Sequence, residues 1–448
     1  MWLAPRRNVS NVAGLQVFNT LRFVVFLAIS IIFTKIGLSK EQIGLFEISV
    51  FMVNIASFFW VTGIIQAFLP LYKGSETFGE LANEDKRKSP EIFNTWVVLV
   101  FFSFIVFLIG LVIQDNFSVF GVSGKAPLLN VTLWLLLLSS PANLVEYIYV
   151  VRNKSGNTLS YAYITYTIQL VAAILPPILG YSVVWSLRGL LIVAIIRNIW
   201  LLTLIYNYAT PRFSFPFIKE LLTIAVPLLF SALISGSAQY IDGLVVSIKF
   251  EAENFAVFRF GAKELPFVIM LATGLSNAML TEFSSKENIN ETLVKLKRRS
   301  LRIMHSMFPL SIVLIIFAEP LYKFMFSPEF TRSADIFVVY LLTIVSRLLF
   351  PHTILMGKKK TRAVLVVSII EVILNISLSF WLANNYAAVG VALATVAAYF
   401  IAKAILVVYN YVKLGISPGE YIPVKWYLGY TVLLGTFFVL MDRGIIVI

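Results

Sequence analysis

Continuous apolar runs of about twenty residues, separated by short polar breaks, are the dominant pattern along this chain. They fall at about 11–33, 43–71, 92–114, 130–151, 158–180 and 183–206. After the proline-containing break ATPRFSFPF they resume at about 219–248, 254–281, 303–318, 333–356, 363–383 and 388–412. A weaker thirteenth run lies near 424–440. A helix needs ~20 apolar residues to cross a hydrocarbon core, whereas a barrel strand alternates over ~10. The pattern predicts an all-α polytopic membrane protein with twelve core transmembrane helices and a thirteenth near its end.

Composition strengthens that reading. Of 448 residues, 59% are hydrophobic and 13% are charged, where soluble domains run at roughly half and a quarter. The mean hydropathy is +0.87. So little charge cannot cover a water-facing surface of this size, which excludes a soluble enzyme and a single-span receptor.

The 36 basic residues outnumber the 23 acidic ones, for a net charge of +13. In a soluble protein this would point to nucleic acid. Here it fits the collection of Lys and Arg in cytoplasmic loops, and no nucleic-acid partner is expected. Of the 36, 22 fall on the side of the predicted membrane that holds Arg6 and Arg7, and eight on the other. That asymmetry predicts a cytoplasmic N-terminus, with an uncleaved first helix. The two long polar loops, 72–91 and 282–302, are expected to face inward, and the outer loops are short.

The chain also matches itself. Glu41-Gln-Ile-Gly-Leu-Phe46 before helix 2 resembles Glu253-Asn-Phe-Ala-Val-Phe258 before helix 8, an offset of 212. Pro141 pairs with Pro351 at 210, and Tyr206-Asn-Tyr208 with Tyr409-Asn-Tyr411 at 203. Three ordered matches at a nearly constant offset predict a duplication of six helices. An even number inserts both halves the same way, so the pseudo-two-fold axis runs along the membrane normal. The expected lobes are 1–209 and 210–414, with 415–448 as an extra helix and tail.

Six cations remain inside the predicted spans: Arg22, Arg197, Arg259, Lys263, Arg347 and Lys403. Each costs about 2.5–3.5 kcal/mol at a helix centre, so an uncompensated set is expensive. The acids within spans are Glu47, Glu146, Asp242, Glu264 and Glu371, too few to pair all six. Arg197 and Lys403 lie within reach of a helix end and either snorkel or serve a cavity. Glu146 and Glu371 are expected as structural partners of cations on neighbouring helices. Arg22 and Arg347 sit mid-span, where a polar cavity role is favoured. Arg259 and Lys263, four apart, are expected to share one face of helix 8 as an anion-binding stripe. Asp242 is either the partner of that stripe or an ion-coupling carboxylate. Glu47 is expected either to bond within its own lobe or to meet its repeat mate Arg259 in an outer gate.

Other chemistry is not encoded. There is no cysteine, and so no disulfide, thiolate nucleophile or Cys-based metal site. His305 and His352 stand alone on apolar helices and are expected in the core rather than on a metal. No phosphate-binding loop, dinucleotide fingerprint or nucleophile elbow occurs, so no cofactor and no ATP hydrolysis are expected.

The stretch from Tyr240-Ile-Asp242-Gly-Leu-Val-Val to Glu253-Asn-Phe-Ala-Val-Phe258 resembles the helix 7–8 region of Wzx-type O-antigen flippases. These belong to the multidrug/oligosaccharidyl-lipid/polysaccharide (MOP) exporter superfamily. Helix 1 with Arg22 and the following Glu41 and Gly44, the segment SPEFTRSADIF at 327–337, and helices 11–12 with Asn375 and Gly390–Thr395 are similar too. The resemblance is spread over nearly the whole chain. It implies a non-enzymatic transporter of the bacterial inner membrane that moves a polyprenyl-diphosphate-linked oligosaccharide from the cytoplasmic to the outer leaflet by alternating access. It also implies a cationic cavity lined by the helices of Arg22, Arg259 and Lys263, and a setting among membrane lipid, a polysaccharide polymerase and glycosyltransferases. The chain departs from the family's twelve or fourteen helices in its odd thirteenth. The alternative is an ion-coupled multidrug or cation exporter of the same superfamily, which should show a carboxylate-dominated cavity. A polytopic polymerase or glycosyltransferase would call for a large outer loop, which is lacking.

Overall fold

The computed structural model describes residues 11–72, 88–113, 128–263, 266–284, 289–358 and 360–443. They are helical almost throughout. Two compact units divide the chain: Met1–Gly236 with Glu251–Glu253, and Ser237–Phe250 with Asn254–Ile448. The expected boundary at 209/210 falls between two helices, whereas the first unit runs on to Gly236.

The first unit holds α1 (Asn11–Lys35), α2 (Lys40–Leu71), α3 (Pro90–Ile113), α4 (Leu129–Ala142), α5 (Leu144–Val151), α6 (Ser155–Ile178), α7 (Val183–Tyr208) and the first part of α8 (Phe215–Lys249). A capping box opens α2: the Ser39 hydroxyl accepts from the Gln42 amide at 3.2 Å while Gln42 Oε1 accepts from the Ser39 amide at 3.4 Å. Helix α1 packs on α6, and α4 on α3, α2 and α7. Helix α3 is the most apolar span and has only 22% of its spanning window buried, with Phe101, Phe104 and Val112 exposed. Those side chains face the lipid, which imposes no hydrophobic penalty on them.

The second unit follows with α9 (Ala252–Gly261), α10 (Pro266–Ser284), α11 (Ile289–Ile316), α12 (Ala318–Met325), α13 (Arg332–Leu341), α14 (Ile344–Arg347), α15 (Pro351–Gly357), α16 (Thr361–Leu414), α17 (Pro418–Tyr421) and α18 (Val424–Asp442). Among the described residues nine helices are long and apolar enough to cross a membrane, ten when the bent run from Arg332 to Gly357 counts as one. Helix α16 carries two of the expected spans. Its 54 residues would be about 80 Å long if straight, far beyond a ~30 Å hydrocarbon core. Ala387 instead adopts φ 49° and ψ −137°, and the chain doubles back there. Asn375 and Thr395, one on each arm, are joined by a 3.3 Å side-chain hydrogen bond. Gly390 is needed at the turn, because a Cβ there would run into the Leu382 carbonyl.

Two expectations change in detail. The polar loop 282–302 is largely helix: α11 starts at Ile289 and buries Thr292, Leu293, Leu296 and Ser300 along one face, a helical period that its charges obscure in a hydropathy scan. The expected loop 72–91 lies mostly outside the described residues.

The proline matches prove to be structural. The helix around Pro141 breaks after Ala142, and the helix before Pro351 breaks after Arg347. Proline lacks an N–H for the carbonyl four residues back, Leu137 for Pro141 and Arg347 for Pro351, and the Ser103 hydroxyl takes that of Leu137 at 2.9 Å; asparagines grip carbonyls beside both breaks. In the first unit Asn198 of α7 donates to the Leu138 carbonyl at 2.6 Å. In the second, Asn410 of α16 donates to the Pro351 carbonyl at 3.1 Å. Asn198 and Asn410 are themselves 212 apart, the offset of the Glu41 and Glu253 match.

Candidate functional site

Three polar clusters lie at span depth, one in the first unit and two in the second. Asp242, near the end of α8, is 5% exposed. Its Oδ2 accepts from the Thr395 hydroxyl at 2.6 Å and from the Tyr340 hydroxyl, and its Oδ1 from the Asn375 amide at 3.2 Å. Asn375 Oδ1 in turn accepts from Ser379 at 2.9 Å. Helix α13 supplies Tyr340, and the two arms of α16 supply the rest. A carboxylate in hydrocarbon requires such donors, since an uncompensated buried charge is very costly. The set is also rich in oxygen: a carboxylate, an amide carbonyl and three hydroxyls, the ligand type of hard cations. Among the described residues no group of three or more His, Asp and Glu is placed to hold a metal ion.

The second cluster is basic. Lys403 Nζ lies 3.2 Å from His352 Nδ1, and His352 Nε2 lies 3.3 Å from Ser276 Oγ, which is 2.7 Å from Thr353 Oγ1. A lysine ammonium can only donate, so His352 accepts through Nδ1 and carries its proton on Nε2. The Arg347 guanidinium stands 4.4 Å over the Tyr399 ring, a cation–π contact. Arg347 and Glu371 both act electrostatically on Lys403. Lys403 therefore does not snorkel to a helix end but turns into its unit, toward His352. His352 is half-buried as a hydrogen-bonding relay rather than an inert core residue. His305 is exposed on the face toward α18, with Nδ1 2.8 Å from the Tyr430 hydroxyl, so the core expectation fails for it.

In the first unit Arg197 Nε donates to the Tyr161 hydroxyl at 2.7 Å, and this arginine too stays inside the unit. Glu146, on α5 just past the proline break, is 4% exposed and feels both Arg197 and Arg22. Arg22 of α1 reaches Asn54 of α2 at 3.4 Å. The first unit thus gathers Arg22, Glu146 and Arg197 around Tyr161 and Tyr166. Glu47 accepts from Ser30 at 2.8 Å, a bond within its own unit.

The stripe on helix 8 is corrected. Helix α9 ends at Gly261, so Arg259 lies in its last turn while Lys263 follows in non-helical chain and does not share a helical face with it. Pro266 accounts for the break, because in a continuous helix it would have no N–H for the Ala262 carbonyl and its ring would clash with it. Gly261 packs so closely on Ser333 and Ile336 that a Cβ would collide with both. Lys263 Nζ lies 5.8 Å from the Phe260 ring centroid. Glu264 lies outside the described residues.

Sequence reading missed Tyr340, Ser276 and the role of His352. Asn375 and Ser379, four apart in an apolar helix, carried a readable signal, since two polar residues on one face need a partner. Tyr340 and Ser276 carried none, because a lone Tyr or Ser in a span is ordinary.

Comparison with known proteins adds to this geometry. A family model described as polysaccharide biosynthesis protein matches residues 32–335. No curated protein matches the chain. Among solved structures, the lipid II flippase MurJ in an inward closed conformation is similar with TM-score 0.65 and 19% identity, over 95% of this chain and 92% of that one. An inward-facing multidrug resistance MATE transporter of the MOP superfamily is similar with TM-score 0.61 and 14% identity, over 91% and 98%. A MOP superfamily transporter from Pyrococcus furiosus, described as having a binding pocket of reversed polarity, gives TM-score 0.52 and 13% identity, over 91% and 95%. At these identities the likeness is one of fold.

Proposed function

The chain belongs to the polysaccharide biosynthesis protein family and has the MOP transporter fold, and on that premise we propose that it is a flippase for a polyprenyl-diphosphate-linked oligosaccharide. It is a multi-pass membrane transporter, not an enzyme. In this reading it works by alternating access in the bacterial inner membrane, with its N-terminus in the cytoplasm, and delivers glycan for cell-surface polysaccharide such as O-antigen.

The observation that carries the reading is the set of cations on apolar spans: Arg22 and Arg197 in the first unit, Arg347 and Lys403 in the second; Arg259 and Lys263, around the end of α9, join them in this reading. Arg197 lies beside the Tyr161 hydroxyl, Arg347 over the Tyr399 ring and Lys403 beside His352. A diphosphate needs such charges in a medium where they are otherwise expensive, and arginine offers it a bidentate fork. An exporter of cationic drugs would be opposed by the same residues.

Asp242 is the ion-coupling group in this reading, taking a proton or a small hard cation among the oxygens of Asn375, Thr395 and Ser379. A carboxylate that alternates between an ion and its Tyr340 and Thr395 donors would link ion binding to the geometry of α13 and α16.

The test is transport in liposomes. Purified protein should speed the movement of a fluorescent polyprenyl-diphosphate oligosaccharide into the leaflet exposed to a quencher, and Arg259→Ala should slow it roughly ten-fold or more. Equal rates with protein-free liposomes, or export of a lipophilic cation instead, would refute the assignment.

A further inference from the structure

Where α11 meets α17 and α18 the second unit contains a pocket of about 510 Å³, within the ~300–1,000 Å³ range of ligand sites. Val294, Leu301, Ile422 and Trp426 form its apolar walls, and Lys297, Arg298 and Lys425 its charged edge. It lies at the start of α18, on the Lys- and Arg-rich side of the predicted membrane. Trp426 is 56% exposed there, at the level where tryptophan favours the membrane–water interface.

The basic run of α11 divides its charges between two faces. Lys295 and Arg299 face α10, where Glu282 takes them at 3.5 Å and 2.9 Å. Lys297 donates to the Gly419 carbonyl at 2.5 Å and so holds the α17 segment against the pocket. Among the described residues no carboxylate lies within ion-pair distance of Arg298 or Lys425. The pocket is therefore apolar within and uncompensated cationic at its edge. Its far wall is fixed: His305 meets the Trp426 ring edge-on at 4.9 Å, and Phe308 stacks on Tyr430 at 5.1 Å.

We propose that this pocket binds the headgroup and upper acyl chains of an anionic phospholipid, its phosphate meeting Arg298, Lys425 and Lys297 while the chain tops lie on Val294, Leu301 and Trp426. Charge complementarity selects the occupant. An anionic headgroup attracts each Lys or Arg near a membrane surface, whereas a zwitterionic lipid also places its ammonium among these cations. The site is separate from the cations at span depth and does not depend on the transported substrate.

Bromine on an acyl chain quenches tryptophan on contact, so the site can be read directly. Full-length protein is placed in phosphatidylcholine vesicles doped with brominated phosphatidylglycerol or brominated phosphatidylcholine. The signal is the difference between wild type and Trp426→Phe. Brominated phosphatidylglycerol should quench Trp426 at roughly ten-fold lower mole fraction than brominated phosphatidylcholine. The preference should vanish in Arg298→Gln/Lys425→Gln and survive in Arg298→Lys/Lys425→Arg, which separates lost charge from lost folding. Equal quenching by both lipids overturns the proposal, as does a preference that persists in the glutamine variant. Displacement of the brominated lipid by a polyprenyl diphosphate at a lower mole fraction would also overturn it, by assigning the pocket to the transported substrate.

Discussion

The Thr395 hydroxyl donates to the Asp242 carboxylate across 2.6 Å, between residues 153 positions apart in the chain. Asp242 is thereby tied to the second arm of α16 directly and to the first through Asn375. The hairpin and the acid form one polar unit inside an apolar one.

Asp242→Asn separates the roles open to this acid. The amide keeps an oxygen acceptor and the size of the side chain, so abundance and thermal stability should stay close to wild type. Transport in liposomes should lose its response to an imposed ion gradient by roughly ten-fold, equivalent to about 1.4 kcal/mol of coupling. A fall in melting temperature with the gradient response intact would make Asp242 a structural anchor only.

Tyr161→Phe removes the acceptor from Arg197 and nothing else of size. Hydrogen bonds to charged groups contribute about 1.5–3 kcal/mol, so thermal unfolding in detergent should move down by several degrees. Arg197→Met combined with Tyr161→Phe should cost less than the two single changes added together, as for any pair in contact. Simple additivity would show that the bond does not hold the first unit together.

Lys403→Gln removes a positive charge from beside His352 and leaves the relay through Ser276 and Thr353. Affinity for a polyprenyl diphosphate, measured by competition, should fall roughly three- to ten-fold, while affinity for an uncharged polyprenol stays unchanged. Equal losses for both ligands would mark Lys403 as a packing residue.

Gly390→Ala forces a methyl group against the Leu382 carbonyl at the α16 turn. Overpacking of this kind costs about 1–3 kcal/mol, and a lower yield of folded protein with a lower melting temperature is expected. Gly429→Ala on α18 meets no atom within 4 Å and should be neutral. Identical behaviour of the two variants would contradict the doubled-back chain.

The membrane class and most spans were legible because hydropathy is local, and a run of twenty apolar residues carries its own meaning. The offset of the two proline breaks was legible for the same reason. The break at Gly261 was misread: the spacing of Arg259 and Lys263 fits a helix, and the signal against it was Pro266 three residues on. Arg197 and Lys403 looked free to snorkel because their distance to a helix end is visible in sequence, whereas Tyr161 and His352, which hold them in place, are visible only in three dimensions. The Asp242 cluster shows the same limit. Its acid stood out as a charge in a span, but its partners Tyr340 and Thr395 are uncharged and separated from it by about a hundred residues or more.

The asparagines that tie the proline breaks have a mechanical consequence. In a helix bent by proline, the freed carbonyls ordinarily let the bend open and close, with water or a neighbouring hydroxyl following the motion. Here Ser103 takes the carbonyl that Pro141 frees, at Leu137, and Asn198 and Asn410 grip the neighbouring carbonyls of Leu138 and Pro351 from other helices. Moving either bend would pull its carbonyl away from the asparagine and strand an amide N–H in a medium with no water to receive it. The two bends are therefore corners of a frame rather than joints, and flexing within either unit must be taken up by helices that lack such a brace.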